Sequence, residues 1–385
     1  MSLQRMRCLL LSSVIWLLLF IGCNSDDASF EMSVSDGVQY AQNSGSAESI
    51  PSDVLPVQFE LEETFGANDS PPEAIFNNIW DLDVDANGNV YVLDWPETRI
   101  VAFAPNGDVR WTIDRQGEGP GDLQLSRSIA LTPDGRLLVS NQADTRIDVF
   151  QAGDGAYLET HPFDHEDIGR SSIVGTASSS RVVTRTSVRG TVGGNVHIFE
   201  LGDSLSHQAR FFVDEADGKP LDNDIFSINT GFRVVEDTVW AGNFSDYTIR
   251  AYDLEGDLQR EISRDVEYMI GAVVEESDEG ISLNRSTRVY PPIQLSSGHW
   301  MTYSHWITGA TRPEEIEGIR MSDIKDFSAS LDFFDESGRY LGSMTEEGRR
   351  VPEIGEPLRV GPRGKLYTYS EVPYPQVRRY QVHVE

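Results

Sequence analysis

The chain reads as an all-β protein, a six-bladed β-propeller of four-stranded antiparallel blades closed by an N-terminal strand. Three observations predict this. A strand, a tight turn and a second strand recur six times after residue 54, as "IWDLDVDANGNVYVLDW", "SIALTPDGRLLVSNQ", "SIVGTASSSRVVTRTS", "GFRVVEDTVWAGNF", "PPIQLSSGHWMTYSHW" and "PLRVGPRGKLYTYSEV". A second hairpin follows only five of these copies: "RIVAFAPNGDVRWTI", "RIDVFQAGDGAYLET", "VHIFELGDSLSHQARFF", "TIRAYDLEGDLQREI" and "SLDFFDESGRYLGSM". The sixth copy ends in a lone strand, "QVRRYQVHV", while an orphan strand, "LPVQFELEE", opens the repeat region. A ring whose last blade borrows its fourth strand from the other end of the chain leaves no open sheet edge at its seam.

In chain order, residues 1–22 come first. Arg5 and Arg7 precede the apolar run "CLLLSSVIWLLLFIG", which ends at Cys23 and is short for a membrane span, so it reads as an export signal. Its ending, "FIGC", resembles the lipobox of bacterial lipoproteins, with Phe20 where a smaller aliphatic residue is usual. That resemblance implies cleavage before Cys23 and lipidation of Cys23 as the new N-terminus; an ordinary secretory signal or an uncleaved anchor is the alternative. With Cys23 lipidated and Cys8 removed, no thiol is left for disulfides, nucleophilic catalysis or thiolate metal sites.

Residues 23–53 are rich in Ser, Asp, Asn and Gly with scattered apolar residues, the composition of a flexible tether. The propeller is expected over 54–385. Sixty-two acidic residues against 31 basic ones give a net charge of −31, which repels phosphates and excludes nucleic acid as a partner. Only Lys219, Lys325 and Lys365 are lysines. An acidic, arginine-preferring surface fits a high-salt habitat, where screening relieves self-repulsion, and equally an acidic protein from a GC-rich genome.

Each first hairpin carries β-branched or aromatic alternation around a turn-forming pair such as Asn87-Gly88, Asp134-Gly135, Ser297-Gly298 or Arg363-Gly364. In the first copy, Asp83, Asp85, Asn87, Gly88 and Asp94 mimic the spacing of an EF-hand loop. That loop needs a helix on either side and a bidentate Glu at its end, whereas "NVYVLD" alternates with period two and ends in Asp94. The stretch "DANGNVYVLD" instead resembles the NHL repeat, in which an Asp-x-x-Gly turn precedes an Ile/Val-Tyr-Val strand. The chain after Val54 is similar to NHL-repeat and TolB-like propellers. "DRQGEGPGDLQLSRSIAL" resembles the Gly-rich link of six-bladed propeller lipoproteins found in many bacteria. The resemblance implies architecture and location, not chemistry.

In such a ring the hairpin turns lie on one face, and the inter-blade links and mid-blade connections on the other. The long pieces "DRQGEGPGDLQLSR", "DEADGKPLDND", "SRDVEYMIGAVVEESDEGISLNRST" and "ITGATRPEEIEGIRMSDIKD" all fall in links or connections, so a binding site is expected on that face. Residues just before each innermost strand would ring the channel mouth: Asn78, Arg127, Ser172, Asp224, Arg288 and Glu353. Arg127 and Arg288 would clamp an anionic or sugar-like ligand, or else pair with Asp224 and Glu353 to close the channel. Trp95, Tyr247, Trp306 and Tyr374 fall at mid-blade connections, as ligand platforms or as ring packing at strand ends. The recurring Thr-Arg-Ile at Thr98 and Thr145 reads as repeat architecture.

"HPFDHED" places His161, Asp164, His165 and Asp167 in one link, but Pro162 denies it the helix that a His-x-x-x-His zinc site needs. The run Gly117-x-Gly119-Pro120-Gly121 precedes no helix pattern, so it is not a dinucleotide loop. No nucleophile elbow is present. The expected function is therefore a monomeric, non-catalytic, lipid-anchored propeller of the bacterial cell envelope, without metal or cofactor, that binds a protein, peptide or glycan on its long-loop face. The rival is a metal-dependent envelope hydrolase or lyase with its site in the channel, for which Asp224 and Glu353 are the evident ligands. A structural member of an envelope complex is a third reading.

Overall fold

The computed structural model describes residues 29–44, 57–66, 71–95, 98–141, 146–163, 171–186, 196–211, 215–216, 219–220, 231–242, 246–269, 273–277, 280–284, 287–309, 326–349 and 351–384. They form a ring of six blades, each a four-stranded antiparallel sheet. From channel to rim, blade 1 runs Ile79–Val84, Val90–Asp94, Arg99–Phe103 and Val109–Ile113. Blade 2 spans Ser126 to Pro162, blade 3 Ser171 to Phe211, and blade 4 Phe232 to Arg264. In blade 5 the innermost strand is split into Arg288–Val289 and Ile293–Gln294. Pro291 and Pro292 stand between the two pieces and donate no ladder hydrogen bond. Blade 6 comprises Glu356–Val360, Leu366–Ser370 and Gln376–Val384, and its rim strand is Val57–Phe65 from the other end of the chain. The closing strand is the one that counting hairpins predicts.

The core is six separate layers, one between each pair of neighbouring blades. Strand alternation builds them directly. Val90 and Val92 join the layer against blade 6, while Tyr91 and Leu93 join the layer against blade 2. Both faces of a blade are covered, which is why "VYVL" reads as a continuous apolar run.

The calcium-like loop is a hairpin turn. Asp85 Oδ1 accepts the backbone N–H groups of Asn87 and Asn89, both at 2.9 Å. Its Oδ2 accepts the Asn89 side-chain amide at 2.6 Å and the Tyr91 hydroxyl at 3.1 Å. Gly88 turns the corner at φ +84°, where a side chain would be strained. Asp83 and Asp94 serve other partners: Asp83 Oδ2 accepts Leu131 N–H of blade 2 at 2.8 Å, and Asp94 Oδ1 accepts the N–H groups of Asn77 and Asn78. The same aspartate-centred turn recurs at Asp253 and Asp335.

The repeated arginine of Thr-Arg-Ile ties blades 1 and 2 each to the link that precedes it. Arg99 donates to Ile75 O and Asp94 Oδ2, and Arg146 to the carbonyls of Glu118, Gly119 and Asp122 and to Asp148.

The stretch read as a tether is corrected in part. Within it, Ser29–Ser35 and Val38–Ser44 form an antiparallel hairpin, and the second strand lies parallel to Leu258–Arg264 at the rim of blade 4. Asn43 fastens it: its amide donates to Ser263 O and Gly338 O at 3.1 Å each and accepts Tyr340 N–H at 2.8 Å. Ala41 is buried in the layer between blades 4 and 5, with Phe30 packed against it. Composition missed this because the hairpin needs no core of its own; an open sheet edge supplies its partner. Residues 1–28, with Cys23, lie outside the described residues.

Candidate binding site at the channel mouth

Each innermost strand starts at the face that carries the links. Asn78 and Arg127 come together there around two tryptophans that belong to blade 1. The Trp80 and Trp95 rings are 5.1 Å apart, and the Arg127 guanidinium lies 4.6 Å from the first and 5.0 Å from the second. A guanidinium over an indole face is worth about 0.5–2 kcal/mol, depending on how dry it is. Trp80 remains 43% exposed, so the platform faces solvent.

The scaffold beneath is polar and tight. Trp95 N–H donates to Asn78 O at 2.9 Å, and Asp94, fully buried, holds Asn77 and Asn78 from below while Arg99 neutralises it at 2.7 Å. Asn78 Oδ1 lies 3.3 Å from the Tyr369 hydroxyl, which also lies 3.0 Å from Glu371. Burial, reinforced by the Glu371 carboxylate, holds the Tyr369 phenol well above its usual range, so it remains a donor at neutral pH.

Across the mouth, Arg288 lies 4.3 Å over the Tyr290 ring, and Tyr290 stacks on Tyr303 at 4.5 Å. Tyr303 meets His305 Nδ1 at 3.1 Å. Trp306, half-buried, stacks on Tyr268 at 4.0 Å and 17°. Two expected aromatics or acids stand elsewhere. Tyr247 is fully buried between blades 4 and 5, where its hydroxyl donates to Asp332, so it is no platform. Glu353 is exposed; its N–H is held by the Glu346 carboxylate of blade 5 and its carbonyl by Arg378. Among the described residues its own carboxylate takes no hydrogen bond or ion pair. Asp224 lies outside the described residues, as does the side chain of Ser172. His161 is buried beside Glu159 at 3.2 Å, and Asp164, His165 and Asp167 are outside the described residues.

The channel wall holds charges that the sequence reading passed over. Arg359 of blade 6 reaches Asp81 at 3.6 Å and Asp83 at 3.4 Å in blade 1. The two aspartates in turn accept Ile129 and Leu131 N–H from blade 2. Three blades are thereby clasped in series. Burial pushes the Asp81 carboxyl up to about 6 although Arg359 opposes it. Arg233 of blade 4 donates to Pro357 O of blade 6 at 3.4 Å, while its Nε and Nη1 are buried without an acceptor among the described residues. Burial, with Arg359 adding to it, pushes Arg233 down to about 9. A guanidinium stays protonated in proteins, so that push measures an unfavourable setting, not a neutral side chain. Part of the signal was present in the sequence: Asp81 and Asp83 stand at alternate positions of an innermost strand, although which side of that strand faces the channel is set only by closure of the ring.

No protein-family model matches the chain. An 86-residue stretch is 27% identical to human NHL repeat-containing protein 3, covering 22% of this chain and 25% of that protein, and 28% identical to the mouse counterpart. The match thus spans about a quarter of the length of these curated relatives. Among solved structures, a member of the DUF4221 family from Bacteroides vulgatus superposes with a TM-score of 0.55 at 10% identity, over 86% of this chain and 99% of that one. A candidate exported protein from Bacteroides fragilis gives 0.54 at 10% identity, over 90% and 99%. At such identities the likeness speaks for the fold, and with the repeats it makes the chain a six-bladed β-propeller with NHL-like blades.

Proposed function

We propose that the protein is a lipid-anchored propeller of the bacterial cell envelope that binds a protein, peptide or glycan, without catalysis, on the face bearing the links. The observation that carries this reading is the solvent-facing Trp80, Arg127 and Trp95 cluster on a rigid base. Flat indoles beside a guanidinium suit the apolar faces of sugars and the planar groups of peptides. Exposed apolar residues Ile75, Leu125 and Val372 flank it on the same face. Leu125 adopts φ +53°, a conformation that costs a branched aliphatic residue stability and that binding surfaces commonly retain. The non-catalytic part is supported by the channel carboxylates: Asp81 and Asp83 are already engaged by Arg359 and by backbone N–H groups. Export is supported by the lipobox-like ending at Cys23.

The test is capture of solubilised envelope proteins and of purified cell-wall glycan by immobilised protein. Trp80→Ala with Arg127→Ala is expected to lower capture at least about tenfold while melting within a few degrees of the parent, because binding energy concentrates in aromatic and arginine anchors. Undiminished capture by the double variant would refute the site. Cys23→Ser is expected to move the protein from the membrane to the soluble fraction.

A further inference from the structure

We infer that the ligand of the channel mouth is a neutral glycan, with a pyranose face laid on Trp80 and neighbouring hydroxyls bridging the Asn78 amide and the Glu371 carboxylate. The inference deepens the binding reading above and rests on it. Asn78 precedes the innermost strand of blade 1, and Glu371 follows Leu366–Ser370 of blade 6. One phenol holds them side by side: the Tyr369 hydroxyl lies 3.3 Å from Asn78 Oδ1 and 3.0 Å from Glu371 Oε1. A hydroxyl carries a single proton, so it satisfies one of these acceptors at a time. Among the described residues, Asn78 Nδ2 and Glu371 Oε2 take part in no hydrogen bond. Trp95 Nε1, beneath the platform, is a further donor without an acceptor among them. Amide donors and a carboxylate acceptor thus stand together near an indole that is 43% exposed.

That inventory separates the ligand classes. A sugar hydroxyl both donates and accepts, so one hydroxyl can donate to the carboxylate while its neighbour accepts from the amide, and the C–H face of the ring lies on the indole. An extended peptide is recognised chiefly through its own backbone, which needs unpaired backbone groups on the protein. Here those groups are taken: Asn77 and Asn78 N–H donate to Asp94, and Asn78 O accepts Trp95 N–H. What the mouth offers is side-chain chemistry. Charge then narrows the glycan. Glu73, Glu118, Glu353 and Glu371 stand exposed on the link face of a chain with a net charge of −31, which repels a polyanionic glycan. Arg127 lies over both indoles and fixes the platform on which the ring rests.

The test applies fluorescently labelled full-length protein to an array of neutral and acidic oligosaccharides, followed by calorimetric titration of the strongest binder. The expected result is saturable binding of neutral oligosaccharides that persists in about 0.5 M NaCl, where exposed charges are screened. Glu371→Gln and Asn78→Ala are each expected to lower that affinity about tenfold, the loss that follows removal of one good hydrogen bond, with the melting temperature unchanged. Binding confined to acidic oligosaccharides and abolished by salt would overturn the neutral class. Glycan binding that survives both substitutions would overturn the bridging geometry. Envelope-protein capture that Trp80→Ala with Arg127→Ala abolishes, with no oligosaccharide bound, would overturn the glycan while leaving the mouth as the binding site. Capture of neither protein nor glycan would overturn both.

Discussion

The seam between blades 6 and 1 and the seam between blades 4 and 5 both receive chain from the N-terminal side, with different consequences. At the first, Val57–Phe65 is the missing fourth strand of blade 6. Its register shift between Leu61 and Glu63 lets one strand serve two layers: Val57 and Phe59 pack toward blade 5, and Phe65 toward blade 1. At the second, the hairpin of residues 29–44 adds to a blade that already has four strands. It contributes one buried side chain to the layer there, Ala41, and a set of hydrogen bonds through Asn43. A strand addition matters in proportion to the apolar layers it completes, not to the number of backbone bonds it forms.

That contrast is broken most severely by deleting residues 55–65, which strips both layers beside blade 6 of their cover. The expected result is aggregation or loss of a cooperative melt; a parent-like melting curve would dismiss the closure account. Phe65→Ala probes the same seam with one side chain and is expected to cost about 3–5 kcal/mol in denaturant unfolding, as large-to-small changes in packed layers do. Arg359→Met leaves Asp81 and Asp83 facing each other without their cation, for an expected loss of about 2–3 kcal/mol, below the usual figure for a broken buried pair because both aspartates keep backbone donors. Asn43→Ala at the other seam is expected to cost only about 1–2 kcal/mol, with blades 4 and 5 otherwise intact. A larger loss there than for Phe65→Ala would invert the ranking of the seams.

The smallest effect is a pH dependence. Asp81 has a folded pKa of about 6, above its ordinary 3.8, so the folded state binds more protons than the unfolded state between those values. Stability from this group therefore falls as pH rises through that window and is flat above it. Relative to Asp81→Asn, the wild type should lose about 1–2 kcal/mol between pH 4 and 6.5, a figure reduced for partial exposure to the channel. A difference that grows with pH would mean that Arg359 outweighs burial.

Of the candidate site, the sequence located Asn78 and Arg127, because repeat register alone tells which residue precedes an innermost strand. Trp80 was passed over: within "IWDLDV" it reads as one more apolar member of an alternation, and only the mouth's geometry shows that its ring meets Arg127. Arg233 and Arg359 were missed for a related reason. Their positions in innermost strands are legible, but which strand sides face the channel, and which blades they reach, depends on closure of the whole ring.

The sequence by itself determined the number of blades, the strand that closes the last one and the aspartate-glycine turns. Each follows from local chemistry: period-two apolar patterning, left-handed glycines, and a count of hairpins that cannot leave an edge exposed. Tertiary structure alone decided that residues 29–44 fold and that Asp81, Asp83 and Arg359 clasp three blades. Neither is encoded by a local pattern. A polar hairpin gains its stability from a sheet edge some 220 residues away, as the bond between Asn43 and Ser263 shows, and such a partner is invisible until the ring exists.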